Sequence, residues 1–373
     1  MRRGSEDAIK NDLEARVVLL SGPRQVGKTT LSKSLFARCE YFNHDLAEHR
    51  IAVKARTWDR RADVVVLDEL HKMRDWKAWL KGVYDVEGVR PRLLVTGSAR
   101  LDVVRRVGDS LAGRFFAHRL HPFDVKELRG QIPAAECFEA LMRFGGFPEP
   151  FLAGSERAYK RWRRSHIDII LRQDLIDLEA VRDVQAVGTL VELLRRRVGS
   201  TVSMSGLARD LERDAKTVKR WLALLENLYV VFRVAPFHRD IARSLLKEPK
   251  FYFYDLGLVD DPGARLENLV ASALRKELDR RSDQDGAETR LCYLRTKEGR
   301  ELDFAVVVDD RVTMIVEVKT SDPAPSRAFA QFAQFLPSAR KLQLVWKIER
   351  ERSTPDGIEV RALIPWLETI ELA

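Results

Sequence analysis

The chain has 373 residues, 45% of them hydrophobic and 32% charged, and 65 lysines and arginines against 56 acids leave a net charge of +9. Such a length implies two or three domains, and the balance is that of a water-borne globular protein with a mild leaning toward a polyanionic partner. No apolar run nears the roughly 18 residues of a membrane span, and three scattered cysteines make neither a disulfide framework nor a zinc site, so a cytoplasmic protein without a membrane partner is expected.

Residues 17–98 alternate two kinds of segment. VVLLSG, YFNHD, VVVLDEL and PRLLVTGS are continuous apolar runs, which predicts buried parallel strands rather than half-exposed ones. Between them KTTLSKSLFARC and MRDWKAWLKGVYD have helical spacing, and the repetition strand–helix–strand marks an open α/β sheet. FFAHRLHPFD supplies a further strand.

The turn after the first strand, Gly22, Pro23, Arg24, Gln25, Val26, Gly27, Lys28, Thr29 and Thr30, fits GxxxxGK[ST] between a strand and a helix. The glycines let consecutive N–H groups face an anion, and the helix starting near Lys28 points its positive end the same way. Lys28 is expected to neutralise the β- and γ-phosphates of ATP, and Thr29 to place its hydroxyl on Mg²⁺. VVVLDELHKM then delivers Asp68 and Glu69 to the carboxyl end of a strand, where such sheets bind ligands. Asp68 is the expected metal-shell residue and Glu69 the base that polarises water, which favours hydrolysis over transfer to a small-molecule acceptor. From the next strand Thr96 or Ser98 would touch the γ-phosphate or the water, with Ser98 preferred. Arg114, after the small-residue turn DSLAG, is the candidate arginine finger, in cis or from a neighbouring copy.

GPRQVGKTTL, VVVLDELHKM, LLVTGSARL and SLAGRFFAHRLHPF, in that order, resemble the AAA-type P-loop ATPases that carry a C-terminal DUF4143 region. The resemblance implies an AAA+-like ATPase core and a helical segment before the first strand. Only sixteen residues precede VVLL here, so that segment is short.

Residues 127–187 read as helical and increasingly basic, with Arg157, Lys160, Arg161, Arg163, Arg164 and Arg172 in one stretch. MSGLARDLERDAKTVKRWLALLENLYVVFRV then has helix-turn-helix spacing. Leu207, Ala208 and Leu211 face inward, Asp214 caps the second helix, and Val218, Trp221 and Leu222 pack it. Lys216, Thr217, Lys219 and Arg220 would lie on the exposed face that reads DNA, with LYVVFRV starting a wing. A protein–protein spacer is the competing reading of this unit.

In the last stretch CYLRT, ELDFAVVV, VTMIVEVK and KLQLVWKI read as strands. Asp303 lies on one arm of an expected hairpin and Glu317 and Lys319, two apart and so on one face, on the other. With Glu267 on an upstream helix they resemble the PD-(D/E)XK restriction-endonuclease-like fold. That resemblance implies a second Mg²⁺ or Mn²⁺ on Asp303 and Glu317, completed by Glu267, with Lys319 orienting water. Whether the site cuts, or only grips DNA, stays open.

The expected organisation is therefore an α/β chain: an AAA+-like P-loop parallel sheet over 1–126, a helical lid over 127–187, a winged-helix unit over 188–240 and a restriction-endonuclease-like α/β domain over 241–373. The expected function is an Mg²⁺-dependent ATPase acting on duplex or branched DNA, of the helicase or branch-migration kind used in repair and recombination. It would work as a homo-oligomeric ring, a hexamer being one size. The alternative is a nucleotide-controlled signalling switch that binds protein partners without acting on DNA.

Overall fold

The computed structural model describes residues 1–97, 111–170, 183–238, 248–296 and 298–372. They form two compact units. No helix among the described residues is long and apolar enough to cross a membrane.

The first unit takes residues 1–122 with two short later segments, 227–229 and 283–285. Its five strands are β1 (Val17–Ser21), β2 (Cys39–Asn43), β3 (Val64–Asp68), β4 (Arg92–Thr96) and β5 (Phe115–Arg119). They pair in parallel in the order β2-β3-β4-β1-β5. Every residue of β1 and β3 is buried, as a parallel strand covered on both faces requires. Helices α1 (Glu6–Asp12), α2 (Lys28–Ser34), α3 (Ala47–Ala55) and α4 (Trp76–Glu87) accompany them. One face of the sheet, with Val17, Leu19, Val65, Leu67, Leu93 and Val95, packs on Trp58, Trp76 and Leu80.

The strand order has a functional consequence. β4 is inserted between β1 and β3, and the register pairs Thr96 with Leu20 on one side and with Asp68 on the other. The carboxyl ends of three strands therefore bring the turn after Ser21, Thr96 and Asp68 side by side, at the edge where open α/β sheets bind ligands.

The second unit spans 123–226, 230–282 and 286–373. It begins with helices α5 (Ala134–Phe144), α6 (Pro148–Ala153), α7 (Glu156–Ile169), α8 (Val184–Arg195), α9 (Met204–Asp210) and α10 (Ala215–Asn227). β6 (Val231–Pro236), β7 (Lys250–Phe253) and α11 (Pro262–Gln284) follow, then β8 (Thr289–Arg295), β9 (Glu301–Val308), β10 (Arg311–Lys319), α12 (Ala328–Ala333), β11 (Arg340–Val345), β12 (Arg352–Ser353), β13 (Ile358–Ala362) and α13 (Leu363–Thr369). The strands form one sheet in the order β12-β13-β11-β10-β9-β8-β6-β7.

β9 and β10 form the expected hairpin, reversing at Asp309 and Asp310, whose φ values of 46° and 60° suit the right-handed twist of a tight two-residue turn. The segment expected to open a wing behaves differently. β6 pairs antiparallel with β7 and parallel with β8, so it is an integral strand of the large sheet. Val231, Phe232 and Val234 are buried, and that burial is what draws it in.

Candidate active site

The P-loop is shaped by two left-handed glycines. Gly22 has φ +148°, and a methyl group there would stand 2.3 Å from the Leu120 carbonyl oxygen, so only glycine lets the loop leave β1 at this point. Gly27, at φ +97°, turns the chain into α2. Val26 is fully buried and pins the loop between them. Lys28 is buried, and its ammonium donates to the carbonyls of Gly22 at 2.8 Å and Pro23 at 2.7 Å. The charge is thus held inside the loop whose N–H groups would face a phosphate.

Asp68 collects hydroxyls from two neighbouring strands and a helix start. Thr29 Oγ1 donates to its Oδ2 at 3.0 Å, Tyr41 Oη to the same oxygen at 2.6 Å, and Thr96 Oγ1 to Oδ1. Burial, with the bond to Asp68, pushes the Tyr41 hydroxyl well above its ordinary range, so it stays a donor. Thr29 and Asp68 are hard oxygen donors within hydrogen-bond reach of each other, which fits Mg²⁺; bound there it would spread the charge of the transferred phosphate.

Glu69 sits at the strand end in a left-handed conformation, φ 56°, its N–H donating to Thr96 O at 2.9 Å. Burial raises the affinity of its carboxyl for a proton, against the pull of Lys28, and its Oε2 has no hydrogen-bond partner among the described residues. A strained, half-buried carboxylate with an oxygen free of hydrogen bonds beside the P-loop lysine is suited to accept a proton from water. His71 Nε2 lies 3.5 Å from that same oxygen.

Of two further expected members, one is placed away from this site. Ser98 lies outside the described residues. Arg114 precedes β5, and its carbonyl accepts from Val17 N–H, which places it at the amino edge of the sheet, opposite the P-loop. Its guanidinium is bonded to Asp85 at 2.7 Å. A contact with a phosphate in the same copy is therefore excluded in this conformation, and the cis form of the arginine-finger expectation is corrected accordingly.

In the second unit, two of the residues expected to form a nuclease-like site, Glu267 and Asp303, lie beside an unexpected one. Lys250, on β7, is 1% exposed, and its ammonium stands 2.6 Å from Glu301 Oε1, 3.3 Å from Glu267 Oε1 and 4.0 Å from Asp303 Oδ1. Tyr252 Oη donates to Glu267 Oε1 at 2.6 Å, and Val318 N–H to Asp303 Oδ2 at 2.8 Å. Lys319 pairs with Glu317 Oε1 at 2.5 Å, leaving Glu317 Oε2 buried without a partner among the described residues. Burial, helped by the charges of Glu267 and Glu317, pushes the Asp303 carboxyl well above its usual range. Among the described residues no three His, Cys, Asp or Glu side chains come together to hold a metal. Carboxylates that already face two ammonium groups are a poor seat for a dication that takes six or more oxygens. The expectation of a second Mg²⁺ or Mn²⁺ on these residues is not supported.

The segment expected to form a helix-turn-helix folds as the two helices α9 and α10. Asp214 Oδ1 accepts from Thr217 N–H at 2.8 Å and caps α10, which buries Val218, Trp221, Leu222 and Leu225. Lys216, Lys219 and Arg220 are exposed and Thr217 is half-buried.

Residues 14–129 match the family model described as an AAA domain, and residues 262–364 match the domain of unknown function DUF4143. The chain thus combines an AAA domain with a C-terminal DUF4143 domain. Residues 135–261, between the two, match a third model, the domain of unknown function DUF8612. The uncharacterized proteins Rv2008c of Mycobacterium tuberculosis and Mb2031c of Mycobacterium bovis are each 29% identical over 364 residues, covering 92% of this chain and 79% of theirs. MJ1544 of Methanocaldococcus jannaschii, also uncharacterized, is 24% identical over 234 residues, or 56% of this chain and 52% of its own. Among solved structures, a DNA polymerase III gamma-subunit-related protein of Thermotoga maritima and the clamp loader delta protein of Bacillus subtilis each share 11% identity over 60% of this chain. They cover 77% and 87% of their own chains, with TM-scores of 0.26 and 0.27. At such scores the overlap is loose, and the parallel sheet itself with its P-loop carries the fold.

The AAA domain thus binds and hydrolyses ATP. Sequence reading missed Tyr41 and His71 there, and Lys250 ahead of the DUF4143 domain. Tyr41 stands in a strand whose aromatic character reads as packing, and Lys250 opens the run KFYF, where a charge reads as a strand end.

Proposed function

We propose that ATP turnover in the AAA domain drives translocation along, or remodelling of, duplex or branched DNA, gripped by the helical part of the second unit. The supporting observation is two cationic helix stripes that engage no acid among the described residues. On α7, Arg157, Lys160, Arg161 and Arg164 recur at the three- and four-residue spacing of one face, opposite buried Tyr159, Trp162 and His166, and all four are exposed. On α10, Lys216, Lys219 and Arg220 repeat the pattern. Cations with no acid to satisfy them release counterions from a phosphate backbone, and α10 is the helix that such a motif lays in a major groove.

The test is the salt dependence of binding to duplex, forked and four-way DNA. Each phosphate contact contributes about 0.9 to the slope of log affinity against log salt. The triple variant Lys216→Ala, Lys219→Ala, Arg220→Ala should flatten that slope by roughly 2 to 3. An unchanged slope removes α10 from the interface. A homo-oligomeric ring belongs to this proposal, since Arg114 reaches a phosphate only from another copy.

The use of β6 as a sheet strand rather than a free wing favours the second reading, a nucleotide-controlled switch with a protein partner. That reading predicts no DNA retention at physiological salt.

A further inference from the structure

Two of the residues that resemble a metal-dependent nuclease site, Glu267 and Asp303, face a buried lysine. In a metal-dependent site such acids converge on a dication; here the space next to them is filled from within the chain. Lys250 is almost wholly buried, yet its charge is not left unpaired, because Glu267, Glu301 and Asp303 all face its ammonium within 4.0 Å. Burial opposes its charge, but these three carboxylates more than compensate and hold it protonated well above the ordinary lysine range. Arg295, 3.7 Å from Glu301 Oε2, and Lys319, on Glu317, add two cations at the margins. Four acids thus meet three fixed cations.

We propose that Lys250 supplies internally the positive charge that a divalent cation would supply in this fold, so that the second unit holds no metal at Glu267, Asp303 and Glu317 and does not cut DNA. The ammonium pairs closely with Glu301 and more loosely with Glu267 and Asp303, and a dication brought close would meet its repulsion at low dielectric. β7 carries Lys250 and Tyr252 on the same face, so the strand sets two donors against Glu267 together. Removing the ammonium while keeping its volume should uncover the latent acids and create a metal site. Metal binding is measured without nucleic acid, so the outcome is independent of the DNA reading.

The experiment uses the full chain without nucleotide and reads bound Mn²⁺ by electron paramagnetic resonance. In the wild type, the Mn²⁺ titration should be unchanged by Asp303→Asn. Lys250→Met should gain one Mn²⁺ per chain with at least tenfold tighter binding, and the double variant Lys250→Met, Asp303→Asn should lose it. A wild-type Mn²⁺ site abolished by Asp303→Asn overturns the proposal. So does a folded Lys250→Met that binds no more Mn²⁺ than the wild type. Should Lys250→Met fail to fold, the comparison of wild type with Asp303→Asn decides alone, an Asp303-dependent site refuting the proposal and its absence upholding it. Mn²⁺-dependent nicking of plasmid DNA gives an independent readout: it should be absent from the wild type, and Asp303-dependent nicking refutes the proposal.

Discussion

Replacing Asp255 with asparagine isolates one buried carboxyl whose titration should be visible in stability. Asp255 is buried at the start of the short turn Leu256–Leu258, with Oδ1 accepting from Gly257 N–H at 3.1 Å and Oδ2 from Tyr159 Oη at 3.0 Å. Burial pushes its pKa from 3.8 up to about 6, the two hydrogen bonds and the nearby Arg163 and Arg265 only partly opposing it. A carboxyl with a raised folded pKa favours the native state while protonated, below the unfolded value. That contribution is lost as pH rises through the folded value. A rise of this size corresponds to about 3 kcal/mol lost between pH 4 and pH 7. For a unit of this size that is roughly 6 to 12 °C in Tm. Other groups titrate in the same range, so the informative quantity is the difference between wild type and Asp255→Asn, followed by thermal denaturation from pH 4 to pH 7. Asparagine has the shape of the protonated acid, and the side chain has little room to shift because a Cβ on Gly145 would already lie 2.7 Å from Oδ1. The variant should therefore overtake the wild type as pH rises through about 6. A difference independent of pH would refute the reasoning, since Asp255 would then ionise as readily in the folded protein as in the unfolded chain.

Two substitutions test the first unit. Gly22→Ala should abolish ATP binding, since its methyl would overlap the Leu120 carbonyl, whose residue is itself tied to β1 by a 2.8 Å bond from Leu120 N–H to Ser21 O; isothermal titration checks this, and wild-type affinity would refute the loop geometry. Arg114→Ala should leave ATP affinity intact and slow hydrolysis only at concentrations where copies associate. A wild-type rate at all concentrations ends its candidacy as a finger.

The chemistry of the first site was legible in local sequence because its parts are short and contiguous. A loop of glycines and a lysine, and two acids after a run of valines, are set by backbone requirements that leave a pattern. What could not be read were contacts across long separations. Tyr41 and Thr96 reach Asp68 only because β2 and β4 flank β3 in the sheet, and nothing local announces strand order. Arg114 illustrates an inference that the sequence did permit. A residue that precedes a parallel strand lies at the amino edge of the sheet, while the phosphate site forms at the carboxyl edge. In the second unit the hairpin and its acids followed from alternation and spacing, but β6 was assigned to a wing and β7 was not among the expected strands. Their apolar faces complete the large sheet, and with them comes Lys250, whose pairing with Glu301 spans 51 positions.

The central claim is that hydrolysis at Glu69 changes the grip on DNA. The most direct measurement is the Kd for a forked duplex, by fluorescence anisotropy at fixed salt, for Glu69→Gln loaded with ATP and for the wild type with ADP and without nucleotide. The variant should bind ATP yet hydrolyse it at least about 100-fold more slowly than the wild type. Its ATP-loaded form should differ from the ADP form of the wild type by about tenfold or more in Kd, which is about 1.4 kcal/mol of coupling. Identical Kd values in all three states would contradict the account.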